Sequence, residues 1–162
     1  MTDIIDQQGY RANVGIVLIN NQKEIFFAKR KRQSGWQFPQ GGIRIEESLK
    51  SAMYRELLEE TGLTKDHVEV IYQSKTWYHY KIPKTHLRTP TNGSYQVIGQ
   101  KQKWFLVKLN GSDVSVNLTF DSKTNQEFDD WKWVDVSIPA KEVIWFKQDV
   151  YQKVLTEFET FL

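Results

Sequence analysis

The sequence contains no cysteine, which excludes disulfide bridges and thiolate-ligated metal sites. It also has no uninterrupted apolar run of about 18 residues, so no transmembrane helix is predicted. The N-terminal stretch MTDIIDQQGYR lacks the basic start and the apolar core of a signal peptide. These absences predict a soluble cytoplasmic protein that does not act on a membrane.

The composition suits one domain of residues 1–162, because 40% of the residues are hydrophobic and 14% are aromatic. The net charge of +2 is unevenly distributed. Residues 1–103 carry 16 Lys and Arg against 10 Asp and Glu, whereas residues 104–162 carry 6 against 10. The basic part suggests an anionic partner such as phosphate or nucleic acid, and the alternative is an unevenly charged solvated surface.

Hydrophobic periodicity predicts strands interspersed with two main helices. Tyr10–Ile19 is rich in β-branched residues and predicts a buried strand, with residues 24–30 forming the second strand of a hairpin. Further elements are strands at 67–83, 102–111 and 131–136, a loop at 87–96, and helices at 47–61, 140–145 and 147–162. The order of elements predicts an α/β or α+β sandwich of three layers around a mixed sheet.

The helix predicted at 47–61 gathers three glutamates, Glu56, Glu59 and Glu60, in its last turns. At about 100° per residue they share the sector that is apolar in the first turns. Carboxylates clustered near a core repel one another, and a divalent cation removes that conflict. Oxygen ligands without cysteine favour Mg²⁺ or Mn²⁺ over Zn²⁺. The alternative is a solvated acidic helix end with Arg55 as counter-charge, although a helix C-terminus disfavours acids.

The segment GGIRIEESLKSAMYRELLEETGL, residues 41–63, resembles the complete Nudix box, Gx5Ex7REUxEExGU, in which U is a bulky aliphatic residue. The resemblance implies a Nudix α/β/α sandwich in which the box forms a loop, a helix and a second loop. It also implies an enzyme that hydrolyses a nucleoside diphosphate linked to another moiety, with divalent metal bound.

The resemblance assigns roles within the box. It implies that three glutamates bind metal and take part in catalysis: Glu56, Glu59 and Glu60. It implies that the Gly41 carbonyl is a further metal ligand and that Glu47 and Arg55 form a structural pair. Because Arg55 lies eight positions after Glu47, that pair requires the chain to fold back at Glu47. Gly62 is the predicted terminator of the helix.

Segments outside the box resemble the bacterial RNA pyrophosphohydrolase subgroup: GYRANVGIVLIN, WQFPQGGI, IGQKQKWFL, EFDDWKWV and FKQDVY. This resemblance implies conversion of 5′-triphosphate RNA ends to 5′-monophosphate by metal-assisted attack of water, the step that initiates 5′-end-dependent mRNA decay. The alternatives are a hydrolase of dinucleoside polyphosphates and a non-catalytic nucleotide-binding module. A regulatory protein partner is compatible with either enzyme, but the sequence does not identify one.

The subgroup resemblance also implies residues outside the box. Arg11 and Arg30 match positions that contact the 5′ phosphates, although either residue would also suit a solvated surface. Glu127 matches an acid that reaches the metal cluster from another loop, as a ligand or as the general base. The remaining candidates for substrate binding are Gln40, Lys101, Lys103, Phe146 and Lys147.

Alternation around the start of the strand predicted at 102–111 puts Lys101 and Lys103 on one face and Gln100 and Gln102 on the other, so that one pair faces the cleft. Phe146 and Lys147 suggest an aromatic face for a base beside a cation for phosphate. The alternative is that Phe146 packs in the core before the last helix.

Overall fold

A computed structural model describes residues 3–87, 97–120 and 126–162. Within these ranges, the strands form one mixed sheet. The strands are β1 (Tyr10–Ile19), β2 (Ile25–Arg30), β3 (Trp36–Gln37), β4 (Gln40–Gly42), β5 (Val68–Gln73), β6 (Tyr78–Lys81), β7 (Gly99–Leu109) and β8 (Phe128–Val134). The α-helices are α1 (Leu49–Thr61), α2 (Pro139–Glu142) and α3 (Gln148–Glu157).

The long strand β1 organises the sheet. One of its edges pairs in parallel with β7 along the whole strand, from Tyr10 opposite Gly99 to Ile19 opposite Lys108. Its other edge pairs antiparallel with β2 at one end and with β4 at the other. Because β4 occupies part of this edge, its glycine segment, Gly41 and Gly42, lies beside the first half of β1. The chain continues from β4 into α1.

Each face of the sheet buries an apolar layer. Val14, Ile16 and Phe105 belong to the layer packed with α1, whereas Val17 and Trp104 belong to the layer packed with α3. Neighbouring residues of one strand point to opposite faces, so the uninterrupted apolar run of β1 supplies both layers. The result is the predicted α/β/α sandwich.

Local chemistry defines the two ends of α1. The Ser48 hydroxyl accepts a hydrogen bond from the Ser51 amide at 3.1 Å, which caps the first turn. At the other end Gly62 adopts a left-handed φ of 77° and donates its amide to the Leu58 carbonyl. The predicted helix at 47–61 therefore begins at Leu49, two residues later than expected.

The segment 67–83 forms two strands, β5 and β6, so the single long strand predicted there is wrong. Both strands pair antiparallel with β7, and the break falls after Gln73. There the Ser74 hydroxyl accepts a hydrogen bond from the Trp104 amide at 3.0 Å and donates one to the Thr76 carbonyl. This side chain replaces a ladder contact, and the chain leaves the sheet before returning as β6.

The C-terminal region also differs in detail from the prediction. The short helix expected at 140–145 is α2, and the final helix is shorter than 147–162, because Trp145–Lys147 and Glu159–Phe161 are separate 3₁₀ turns. The loop predicted at 87–96 lies outside the described residues except for Leu87. None of the helices in the described ranges is long and apolar enough to cross a membrane.

Candidate active site

Arg55 ties the start of α1 to its acidic face. Its Nε and Nη2 donate to the two carboxylate oxygens of Glu47 at 2.7 and 2.8 Å, because the chain folds back at residue 47. Its Nη1 donates to Glu56 at 2.6 Å, and Nη2 also donates to the Gly42 carbonyl at 2.8 Å. The hydrogen bond to Arg55 lowers the pKa of Glu47, so this pair remains ionised.

Gly41 brings the backbone of β4 directly against the acidic face. A Cβ atom at this position would overlap the carboxylate of Glu56. At Gly42, a Cβ atom would meet the guanidinium of Arg11, which comes from the neighbouring strand β1. Because neither glycine has a side chain, the main chain approaches the carboxylate of Glu56 at Gly41 and the guanidinium of Arg11 at Gly42.

Glu60 is the most buried of the three helix acids, with 6% of its surface exposed. Burial raises the pKa of its carboxyl well above the ordinary value, and the negative charges of Glu56 and Glu127 raise it further. Its Oε2 atom is buried and has no hydrogen-bond partner among the described residues. The effect of Glu127 on Glu60 shows that this residue, directly before β8, brings a carboxylate close to the acidic face of α1.

The other two acids of α1 are held by arginines. Burial raises the pKa of Glu56, and the hydrogen bond from Arg55 opposes that rise. Glu59 is 3.4 Å from Arg55 and 3.8 Å from Arg44, measured between side-chain nitrogen and oxygen. In the described parts of the chain, no three His, Cys, Asp or Glu side chains already form a ligand set for a metal ion.

The residues nonetheless fit a hard divalent cation. The orphaned oxygen of Glu60 lies among carboxylates that repel one another, and a cation would supply the missing partner and neutralise the charge. Glu59 has a third of its side chain exposed, so its carboxylate is accessible to an ion beside its arginine partners. The donors are all oxygen atoms, which suits magnesium-like ions better than zinc.

A protein-family model described as the NUDIX domain matches residues 9–154. The chain belongs to the NUDIX family. The RNA pyrophosphohydrolases of Pseudoalteromonas translucida (strain TAC 125) and Thioalkalivibrio sulfidiphilus (strain HL-EbGR7) are each 50% identical to it over 159 residues, which cover 98% of this chain and 90% of theirs.

A solved structure at lower identity supports the same fold. The dihydroneopterin triphosphate pyrophosphohydrolase of E. coli superposes with a TM-score of 0.68 at 16% identity, covering 90% of this chain and 95% of that one. NUDIX hydrolases generally use divalent cations, in agreement with the oxygen-rich face of α1.

Lys147 lies at the inner wall of the NUDIX site, far in sequence from the box. It is only 6% exposed, and its Nζ donates to the side-chain oxygen of Gln37 at 3.0 Å and lies 3.5 Å from that of Gln40. Burial lowers its pKa to about 7, and the nearby Arg30 contributes to the shift. Because Gln40 directly precedes Gly41, Lys147 is positioned beside the glycine segment of β4.

The two candidate arginines contact acids in this structure. The Nε of Arg11 is 3.2 Å from the Asp3 carboxylate, and the Nε of Arg30 is 3.8 Å from Glu127. Arg11 also lies against Gly42. Arg11 thus lies beside the glycine segment and Arg30 beside Glu127, and binding of phosphate by either guanidinium group stays a prediction.

The two lysines of β7 point to the opposite face from its glutamines. Lys101 and Lys103 both contact the ring of Trp77, and Lys101 is also 3.2 Å from Asp6. Gln100 and Gln102 instead lie 3.3 and 3.4 Å from the side chain of Gln40. The glutamine face of β7 therefore borders the glycine segment, and the role of the two lysines in substrate binding stays a prediction.

Phe146 lies in a 3₁₀ turn and is half-buried. Its ring centre is 6.1 Å from that of Tyr80, and the Nζ of Lys147 is 5.7 Å from the Tyr80 ring. Burial raises the pKa of Tyr80 to about 12, so its phenol stays neutral. Tyr80 is not among the site residues predicted from the sequence, although the alternating segment YHYK at 78–81 places it on one face of a strand.

Proposed function

We propose that this chain removes pyrophosphate from the 5′-triphosphate end of RNA and leaves a 5′-monophosphate. The observation that carries the proposal is the 50% identity, over 98% of the chain, to proteins named RNA pyrophosphohydrolase. The site is consistent with it, because acids on α1 face bases from β1, β2 and the turn at 145–147. A cytoplasmic location is part of the proposal, since triphosphorylated transcripts arise there in bacteria.

We infer that the resident ion is Mg²⁺ or Mn²⁺. The groups proposed to hold it are the Gly41 carbonyl and the carboxylates of Glu56, Glu59, Glu60 and Glu127. When bound, such an ion neutralises phosphate charge and lowers the pKa of coordinated water. Glu47 remains the partner of Arg55 and orients the side chain that holds Glu56.

The basic residues are proposed to bind the triphosphate. Arg11 and Arg30 present guanidinium groups that match phosphate oxygens in pairs, while Lys147 adds a single amino group at the inner wall, where bound phosphate would favour its protonated form. Each arginine exchanges its present carboxylate partner for phosphate when substrate enters. Gln40 lies between Lys147 and the glutamines of β7, where its amide is suited to orient the phosphate chain.

A carboxylate near the phosphates is proposed to accept the proton of the attacking water. Glu127 has this role in one arrangement and is an additional metal ligand in the other. The oxygen of water bonds to phosphorus, one phosphoanhydride bond breaks, and the electron pair leaves with the bridging oxygen. Arg11, Arg30 and Lys147 stabilise the negative charge that the leaving group gains.

The test is product analysis with Mg²⁺ on RNA that carries labelled α and γ phosphates. Release of labelled pyrophosphate, leaving a 5′-monophosphate, is the expected result. Diadenosine tetraphosphate at matched concentration is the competing substrate, and faster turnover of it would favour the dinucleoside polyphosphate hydrolase instead. Absence of turnover on both substrates would contradict the proposal and favour a non-catalytic nucleotide-binding module.

The same assay in ¹⁸O-labelled water locates the bond that breaks. Label in the RNA monophosphate identifies attack at the α phosphorus, and label in pyrophosphate identifies attack at the β phosphorus. Release of single labelled phosphates in succession would identify attack at the γ phosphorus.

A further inference from the structure

Trp145 leaves a large aromatic surface in solvent at the edge of the site. It is 67% exposed, whereas most of the tryptophans pack against the two apolar layers. Single exposed apolar side chains are common on proteins and carry no functional meaning by themselves. This ring differs because it is part of a continuous row of rings that begins inside the site.

The row starts at Lys147, whose Nζ lies over the ring of the buried Tyr80. Tyr80 contacts Phe146, and Phe146 contacts both His86 and Trp145, with ring centres 5.3 and 5.6 Å apart. Exposure increases along this row, from the buried Tyr80 through the half-buried Phe146 to the exposed Trp145. The row therefore leads from the phosphate end of the site to its outer rim.

The rings at the rim form two walls. The planes of Trp145 and Phe146 meet at 79°, so a flat group against either ring presents its edge to the other. A stacked base and an edge-on base are both favourable beside such a corner. Adjacent bases of a single strand, which unstack readily, are able to use the two faces separately.

We propose that Trp145, with His86 beside Phe146, forms a second stacking subsite for an RNA base that follows the one held on Phe146. The ligand class is a single-stranded 5′-triphosphorylated oligonucleotide, and the proposal rests on the proposed function. Stacking on an aromatic ring tolerates every base, so the subsite selects for chain length and not for sequence. A nucleoside triphosphate has no following base and gains nothing from Trp145.

Charge on the surrounding surface favours RNA over a protein as the occupant. His86 belongs to the 3₁₀ turn Lys84–His86, whose Lys84 is exposed, and the exposed Lys81 ends the strand that carries Tyr80. Cations beside exposed rings suit a phosphate backbone with stacked bases.

The experiment measures equilibrium binding of non-hydrolysable 5′-triphosphate probes with one, two, three and four nucleotides to the full chain. The variants are Trp145→Ala, Trp145→Phe, and Phe161→Ala as a control. Phe161 is also an exposed ring that contacts a single aromatic neighbour, Tyr72, but it lies in the C-terminal 3₁₀ turn. Wild type is expected to bind more tightly as nucleotides are added.

Trp145→Ala is expected to lose roughly 5- to 150-fold in affinity for the longer probes, the range for one stacked base, and to bind the one-nucleotide probe within twofold of wild type. Trp145→Phe should retain most of the length dependence, and Phe161→Ala all of it. Equal affinities of wild type and Trp145→Ala at every probe length would overturn the proposal. A protein partner would then be the better explanation of the exposed ring. An equal loss at every length would also overturn it, because Trp145 would then act by supporting Phe146.

The test separates this proposal from the proposed function. If Trp145→Ala weakens binding of the longer probes but wild type releases no pyrophosphate from RNA, the proposed function is contradicted and the subsite stands. Wild-type protein that releases pyrophosphate and shows no effect of Trp145→Ala would contradict the subsite alone.

Discussion

Replacing Gly41 with alanine tests whether the glycine segment positions a catalytic acid. The φ angle of Gly41 is not in the left-handed region, so alanine is compatible with the backbone at this position. The added Cβ would overlap the carboxylate of Glu56. The substitution therefore acts through one named contact, between the main chain of β4 and the acidic face of α1.

The size of the effect follows from the overlap. The Glu56 carboxylate has to retreat by about 1 Å or more, and a misplacement of about 1 Å at a catalytic group costs about 100-fold in rate. That loss corresponds to about 2.7 kcal/mol of transition-state stabilisation. Overpacking costs about 1–3 kcal/mol of folding stability, and the flexible end of Glu56 favours the lower value, so the variant should fold.

The assay is a double-mutant cycle in kcat/KM on 5′-triphosphate RNA with Gly41→Ala, Glu56→Gln and the double variant. If the alanine acts by displacing Glu56, the double variant should lie within about threefold of Glu56→Gln, since the charged carboxylate that the alanine would displace is already absent. Gly111→Ala is the control, because a Cβ there meets nothing within 4 Å although φ is +78°. It should lose stability and keep its kcat/KM.

Wild-type kcat/KM in Gly41→Ala would refute this reasoning. Losses that multiply in the double variant would also refute it, because the glycine would then act independently of Glu56.

Four further predictions follow from the same structure. Glu60→Gln should lose activity by orders of magnitude while its metal-free melting temperature, followed by circular dichroism, stays level or rises, because burial raises the pKa of Glu60 and an amide carries no charge. Mg²⁺ should raise the melting temperature of wild type, and less so that of Glu56→Gln, because the ion binds only the folded state. The pKa of Lys147 is about 7 against an ordinary value of 10.5, so the unfolded chain binds the additional proton between these values. Folding stability should therefore rise with pH across that window by about 1.4 kcal/mol per unit, and Lys147→Met should lose this increment in denaturant titrations. Arg30→Ala should weaken binding of a non-cleavable 5′-triphosphate RNA and flatten its salt dependence, whereas Phe146→Ala should weaken binding without changing the slope.

Each of these predictions has a result that contradicts it. Near-wild-type turnover in Glu60→Gln would remove that acid from the metal site, and equal melting shifts in wild type and Glu56→Gln would place the ion elsewhere. Lys141→Met removes an exposed lysine and should keep the wild-type pH profile. If the stability of Lys147→Met depended on pH in the same way as that of wild type, Lys147 would not be deprotonated in the folded state near pH 7. Unchanged RNA binding in both Arg30→Ala and Phe146→Ala would mean that RNA does not bind in the proposed cleft.

The sequence by itself determined the box and most of the secondary structure. The spacing of Glu56, Glu59 and Glu60 places them on one face of any helix, and Ser48 and Gly62 bound that helix through capping contacts of a few residues. Strands β1, β2 and β7 were predictable because each apolar run is continuous and bounded by turn residues. All of these features depend on residues that are close to one another in the sequence, within about one or two helical turns.

The family resemblance proposed Glu127 and Lys147 for the site, but only the tertiary structure decided which side chains these distant residues meet. Lys147 meets Gln37 across 110 positions of sequence, and Glu127, directly before β8, comes beside Glu60 of α1. The break at Ser74 arises in the same way, because it depends on the amide of Trp104 in the neighbouring strand. Such contacts follow from the register of the sheet and from burial, and burial also raises the pKa of Glu60 and lowers that of Lys147. Local pattern carries no information about register, so the chemistry of these residues emerges only when the sheet is assembled.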